Sequence, residues 1–216
     1  SSILKQKDFE HAKKTIEFIK QKKWNSALKS AAKVKDKEFR TLITWMHLKT
    51  TRNGASFNEY KKFIEQNEDY PRINRIRYLA EEKIYLRNNS PSSIINWFER
   101  YPPLGGLGKI KLAEAYLEQG KTAKVKELIK EGWITASIRK NDLGYYRAKF
   151  KKFIDSDDHI KRADYLAWER KYWDLKRMLK YLPTDQRALY NARQILMSNS
   201  YGAVSYTHLR AHETGY

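Results

Sequence analysis

Apolar residues recur along this chain at the three- and four-residue spacing of one helix face, interrupted by short polar stretches. Residues 7–22 place Phe9, Ala12, Ile16 and Ile19 on one face. Residues 24–34 do the same with Ala27, Leu28, Ala31 and Ala32, whose small side chains allow close approach to a neighbour. Asp36 is placed to cap a third helix carrying Phe39, Leu42, Ile43, Trp45, Met46 and Leu48 to about Thr51. Asn53-Gly54 is a turn signal. Ser56 and Glu59 have the spacing of a capping box ahead of Phe57, Tyr60, Phe63 and Ile64. Pro71 is expected to open a helix with Ile73, Ile76, Leu79, Ala80 and Ile84, and Asn88-Asn89 to close it.

The stretch 90–133 has the most explicit punctuation. Ser90 as N-cap and Pro91 at the first helical position open a short helix with Ile94, Ile95, Trp97 and Phe98 on its apolar face. Pro102-Pro103 stops it, since neither proline has an N–H and Tyr101 is pushed out of the helical region. Gly105, Gly106 and Gly108 are expected to turn the chain. Leu112, Ala113, Tyr116 and Leu117 form the next stripe, and Gly120 ends it. Thr122 is expected to cap a helix with Val125, Leu128, Ile129 and Trp133.

Beyond it, residues 142–154 carry Leu143, Tyr146, Phe150 and Phe153. Ser156-Asp157-Asp158 is expected to cap a helix with Ile160, Ala163, Leu166, Ala167 and Trp168. Residues 172–182 follow, then Pro183-Thr184 and a last helix with Leu189, Ala192, Ile195, Leu196 and Met197. That predicts about twelve helices and no strand, because period-two alternation is nowhere sustained.

Helix openings recur at Trp24, Phe57, Pro91, Thr122 and Ser156, with gaps of 33, 34, 31 and 34 residues. A period near ~34 residues is that of stacked helical hairpins and predicts an all-α, right-handed superhelix, an α-solenoid of tetratricopeptide-like helix pairs. An irregular helical bundle is the alternative.

Composition narrows the partners more than the fold. Of 216 residues, 44 are Lys or Arg and 25 Asp or Glu, a net charge of +19. That balance favours polyanions such as nucleic acid, anionic lipid or an acidic cell-wall polymer. Cysteine is absent, which removes disulfides and thiolate metal sites. No apolar run reaches the length of a membrane-spanning helix, so no transmembrane segment is expected. The start at Ser1 suggests a fragment or processed product. Residues 201–216 lose all periodicity and resemble translated adapter sequence. They are expected to be a non-native or disordered tail beyond a helical domain over residues 1–200.

Candidate chemistry is sparse. His11, His47 and His159 lack ligand spacing, and His208 and His212 lie in the tail. Glu81-Glu82 and Asp157-Asp158 are adjacent on helices, and adjacent residues do not face each other across a cleft. The 102–108 corner lacks the Gly-Lys-Ser/Thr ending of a phosphate loop. Arg72, Arg75 and Arg77 form a basic cluster, beside the pairs Lys22-Lys23, Lys61-Lys62 and Lys151-Lys152. No catalytic, cofactor-binding or metal-binding residue is predicted, and no sugar-contacting residue is singled out.

Three ordered stretches over residues 29–197 carry a resemblance. They are Phe39-Arg40-Thr41-Leu42-Ile43-Thr44-Trp45 with Ser56-Phe57, residues 63–67 and Pro71. Next come Trp97-Phe98, Pro102-Pro103-Leu104, Gly106, Gly108, Ala113-Glu114-Ala115, Gly120 and Trp133. Last is the run from Asp158 to Trp168 with Ala192-Arg193. Together they resemble the N-terminal superhelix of the soluble lytic murein transglycosylases. Tyr70 stands where that family commonly has Trp, Gly105 where Thr is usual, and Ala167 in place of a leucine.

The resemblance implies a parent enzyme that cleaves the MurNAc–GlcNAc bond of peptidoglycan and forms a 1,6-anhydro ring. It implies a periplasmic setting in the bacterial cell envelope. Its catalytic glutamate belongs to a separate C-terminal lysozyme-like domain, so no residue here inherits that role. The implied partners are peptidoglycan glycan strands and that missing catalytic domain, with no specific nucleic acid. A free-standing scaffold binding acidic proteins or nucleic acid is the competing expectation.

Overall fold

The computed structural model describes residues 5–51 and 53–197, and all regular structure among them is helical. The helices are α1 (Gln6–Lys20), α2 (Trp24–Ala31), α3 (Lys37–Lys49), α4 (Phe57–Gln66), α5 (Ile73–Glu81), α6 (Pro91–Arg100), α7 (Gly106–Glu118), α8 (Thr122–Thr135), α9 (Lys140–Lys149), α10 (Ser156–Trp168), α11 (Tyr172–Met178) and α12 (Thr184–Met197). A 3-10 turn over Leu179–Tyr181 follows α11. The expected tail over residues 201–216 lies outside the described residues. The chain divides into two compact units, Ser1–Lys83 and Ile84–Tyr216.

In the first unit, α1 and α2 pack as a hairpin around Ala12, Ala27 and Ala31. Polar ties fix it. Ser30 Oγ donates to the His11 carbonyl at 3.1 Å, and buried Asp8 accepts from the Lys35 N–H at 3.2 Å. Asp36 caps α3 by accepting from Phe39 N–H at 2.7 Å. The end of α3 is closed from outside the helix. Asn53 Nδ2 donates to the carbonyls of His47, Leu48 and Thr50, and the Tyr60 hydroxyl donates to Leu48 O at 2.8 Å. These are the carbonyls that a helix end leaves without partners. The capping box of Ser56 and Glu59 opens α4 as its spacing requires.

In the second unit, Ser90 caps α6 with Pro91 at its first position, and Tyr101 leaves the helical region before the prolines. Ile94, Ile95, Trp97 and Phe98 are buried. Helices α7 and α8 form the most extensive pair. Around them a continuous core runs from Ile110 and Val125 through Trp133, Tyr146 and Phe150 to Leu166, Leu175 and Met178.

Several expected boundaries move. Gly106 and Gly108 do not turn the chain; they form the first turn of α7, with Gly105 as its N-cap. A Cβ on Gly106 would sit 2.5 Å from Ala136 N and 2.8 Å from the Thr135 carbonyl carbon, so glycine is needed for α7 and α8 to touch. Pro71 does not open α5, which starts at Ile73 after Arg72 takes a left-handed conformation. That helix stops at Glu81, leaving Ile84 beyond it. Thr122 is the first residue of α8 rather than its cap, and Asp155 rather than Ser156 caps α10 in a capping box with Asp158.

The starts of α2, α4, α6, α8 and α10 fall at the five recurrent positions read from the sequence. The turn chemistry keeps a different count. Positive φ occurs at Lys22, Arg72, Gly120 and Arg170, separated by 50, 48 and 50 residues. After Lys22, Gly120 and Arg170 comes a lysine of nearly the same conformation: Lys23 (φ −86°, ψ 67°), Lys121 (−81°, 64°) and Lys171 (−86°, 69°). Each of these three turns closes with one pair of backbone bonds, as in Gly120 N to Leu117 O and Lys121 N to Tyr116 O. Four residues beyond each lysine lies a fully buried apolar side chain, Ala27, Val125 and Leu175. Lys22, Gly120 and Arg170 thus mark turns of one local form, whereas the residue after Arg72 is Ile73 rather than a lysine.

Candidate functional site

Helical spacing brings two polar stripes face to face in the first unit. On α3 the stripe is Lys37, Arg40, Thr41, Thr44 and His47; on α4 it is Glu59, Lys62 and Gln66, with Phe63 among them and Asn67 as the helix's C-cap. The two helices touch only sparingly, and a groove of about 620 Å³ lies between them over Leu28 and Leu48. Arg40 is held in place, its Nη1 donating to the carbonyls of Val34 at 2.6 Å and Lys35 at 2.8 Å. Thr44 Oγ1 donates to Arg40 O, and Asn67 Nδ2 to Phe63 O, which leaves the side-chain oxygen Oδ1 of Asn67 available. Glu59 is committed to its cap, accepting from Ser56 N and Oγ at 2.8 Å each. Burial holds His47 below the usual histidine range, against an opposing pull from the Glu59 charge. Its ring packs on Trp24 with centroids 5.3 Å apart.

A second polar cluster is buried in the other unit. Lys111 on α7 is 2% exposed, its ammonium 3.8 Å from the Tyr85 ring centroid and 5.3 Å from that of Tyr146. Burial pulls it down to about 8, with Glu114 and Asp142 opposing. Glu114, also buried, accepts from the Tyr145 hydroxyl and pairs with Lys149 at 3.2 Å. Lys149 also reaches Glu118 at 2.8 Å. Burial lowers the Lys149 ammonium, but its bonds to Glu118 and Tyr145 and the Glu114 charge outweigh it and the net shift is upward. This cluster joins α7 to α9.

The residues weighed from sequence have local roles. His159 is buried on α10 with its ring 5.4 Å from Trp133, and burial lowers it. Asp158 is 1% exposed in the α10 cap, and exposed Asp157 pairs with Lys161 at 2.6 Å. Glu81 is buried on α5, and Glu82 is that helix's C-terminal cap residue. Among the described residues no group of three or more His, Cys, Asp or Glu is placed to hold a metal ion. No helix among them is long and apolar enough to cross a membrane. Sequence reasoning missed the groove and the buried Lys111. The groove had no signal within either helix, since the polar faces of residues 37–48 and 59–67 each read as ordinary solvated faces. Lys111 had none, because its position reads as an ordinary solvated lysine.

Compared with known proteins, the chain matches no family model, no curated protein and no solved structure. What the fold defines is its class: an all-α protein among the described residues.

Proposed function

We propose that the chain is the superhelical, non-catalytic part of a peptidoglycan lytic transglycosylase, which positions or encloses glycan strands while a separate lysozyme-like domain breaks the bond. The observation that carries the reading is where the motif residues fall. Gly106 lets α7 meet α8, Gly120 supplies a left-handed turn, Trp133 is fully buried, and Asp158 closes a capping box. Arg162 binds the end of α8. The residues that resemble the family are thus those a shared helical scaffold would need, and a scaffold is what the resemblance covers.

Two further features fit. The surplus of 44 basic over 25 acidic residues suits the carboxylates of peptidoglycan. Trp168 is 78% exposed and borders a shallow hollow shared with exposed Leu196 on α12, an apolar face suited to a contact with the catalytic domain. On this reading the protein works in the periplasm. The net charge of +19 also favours the competing reading, a helical scaffold for acidic proteins or nucleic acid.

Co-sedimentation with peptidoglycan sacculi tests the proposal. Attraction between exposed charges acts over about 10 Å at 0.1 M salt and about 3 Å at 1 M, so binding is expected at low salt and largely lost near 1 M. The purified chain is expected to release no 1,6-anhydro muropeptides. In competition at moderate salt, displacement by duplex DNA but not by soluble glycan strands would favour the scaffold reading.

A further inference from the structure

The groove between α3 and α4 is charged in one sense and its charges are unanswered. Lys37, Arg40 and Lys62 line it. Among the described residues none of the three has an ion-pair partner, whereas Lys61 next door is tied to Glu65 at 3.9 Å. The single carboxylate in the groove, Glu59, is already engaged by the Ser56 N–H and hydroxyl. Burial keeps His47 in its neutral form. Three cations therefore face a space in which no described acid neutralises them.

The rest of the lining narrows the ligand. Thr41, Gln66 and the free side-chain oxygen Oδ1 of Asn67 add neutral hydrogen-bonding groups, and Phe63 adds an apolar wall. From Lys37 to Leu48 the groove follows α3 for about 16 Å at ~1.5 Å per residue. A bare inorganic anion would use the cations and leave the length and the neutral groups idle. A hydroxyl-bearing chain with carboxylates at intervals uses both.

We propose that this groove binds a glycan segment carrying carboxylate groups, with Lys37, Arg40 and Lys62 meeting the acids and Thr41, Gln66 and Asn67 the sugar hydroxyls. The choice of a glycan rests on the function proposed above; the requirement for a carboxylate does not. Arg40 also serves the fold through its bonds to Val34 and Lys35, so it is left intact in the test. Lys37 and Lys62 carry no such duty.

The experiment is amide NMR titration of the whole chain with N-acetylmuramic acid, N-acetylglucosamine and acetate. It is repeated on K37E/K62E and on K151E/K152E, which makes the same charge change in the other unit. The expected result is shifts confined to residues 37–48 and 59–67 with N-acetylmuramic acid. Binding should weaken about tenfold for the uncharged sugar and for K37E/K62E, the loss expected for charge-assisted hydrogen bonds, and hardly change for K151E/K152E. Shifts scattered over the basic surface, equal binding of acetate, or equal loss in K151E/K152E would overturn the site. Sacculus binding separates the two ideas. If K37E/K62E loses the N-acetylmuramic acid shifts while sacculi bind it as before, the groove is not where the polymer docks and the general reading survives. If N-acetylmuramic acid binds in the groove but sacculi do not bind the chain, the site stands and the peptidoglycan reading fails.

Discussion

Arg162 on α10 donates through Nη1 to the carbonyl oxygen of Trp133 near the end of α8, and through the same nitrogen to Ala136 O at 3.0 Å. Both acceptors belong to a helix end, where the last carbonyls have no partner within the helix. The guanidinium also sits 5.1 Å from the Trp133 ring centroid. It is 1% exposed, and burial pulls it down to about 10 against the raising effect of Asp174. Arg40 does similar work just past the end of α2, on the carbonyls of Val34 and Lys35. In each unit an arginine thus closes the chain leaving a different helix.

Removing Arg162 should therefore cost more than its packing. Arg162→Met keeps much of the apolar stem and deletes the donors, leaving two buried carbonyls unsatisfied at about 1–3 kcal/mol each. Urea denaturation should show a total loss of about 2–6 kcal/mol, and Arg162→Lys should recover part of it. An Arg162→Met variant as stable as the parent would refute the capping role.

Two glycines should respond in opposite directions. At Gly106 a methyl group would meet the backbone of Thr135 and Ala136, so Gly106→Ala should destabilise by about 1–3 kcal/mol through overpacking of α7 on α8. Gly144 lies within α9, and a methyl group there would meet open space, with nothing within 4 Å. Gly144→Ala should stabilise by up to about 1 kcal/mol, the helix-propensity difference. Thermal melts of the two variants compare the two effects directly, and a gain at position 106 would rule out the close approach.

Helix existence was legible because each stripe and cap is a local statement. Asp36, Ser56 with Glu59, and Ser90 with Pro91 all act where their spacing puts them. What the sequence hid was longer in range. Gly106 and Gly108 carry a turn signal, yet they start a helix, because the partner that demands the small size of Gly106 lies far along the chain at Thr135 and Ala136. Lys22 and Arg170 take the same left-handed role as Gly120 without being glycine, so these turns leave no glycine pattern to read. The groove was invisible for a related reason: α3 and α4 each show an ordinary polar face, and only their separation turns two faces into a site.

Acid should find the two buried histidines. Burial is the largest influence on both and lowers them, aided at His159 by Arg147 and opposed by Asp158. A histidine lowered in the folded state binds its proton more readily when unfolded. Stability from these sites is therefore present at neutral pH and lost as pH falls from the ordinary value of 6.5 toward the folded value. H47F/H159F should flatten the decline in melting temperature between about pH 6.5 and 5. An unchanged slope would place the acid sensitivity elsewhere.

The alkaline side should show the opposite competition, with Lys111 at its centre. Its folded value of about 8 lies below the ordinary 10.5. Below pH 8 it is charged in both states and the fold bears the full cost of burying it. Between pH 8 and 10.5 the folded chain gives up the proton while the unfolded chain keeps it, so stability rises with pH in that window. Tyr146, raised chiefly by burial and then by Glu114, and Lys149, raised by its partners, act the other way. Each holds its proton longer in the fold, so each withdraws stability as pH climbs past its ordinary value, 10.0 for the tyrosine and 10.5 for the lysine. The parent chain should thus be most stable in mild alkali, near the crossing of the two effects. Lys111→Met leaves an apolar stem between Tyr85 and Tyr146 and removes the first effect alone. It should be more stable than the parent at pH 7, because methionine removes the cost of burying a charge that has no bonded partner among the described residues. Its advantage should shrink steadily toward pH 10, where the parent has shed the same charge. Chemical denaturation of both chains at pH 7, 8.5 and 10 measures the difference. A constant gap between them, or a Lys111→Met chain less stable throughout, would mean that the ammonium and the two tyrosine rings hold each other more strongly than burial opposes them.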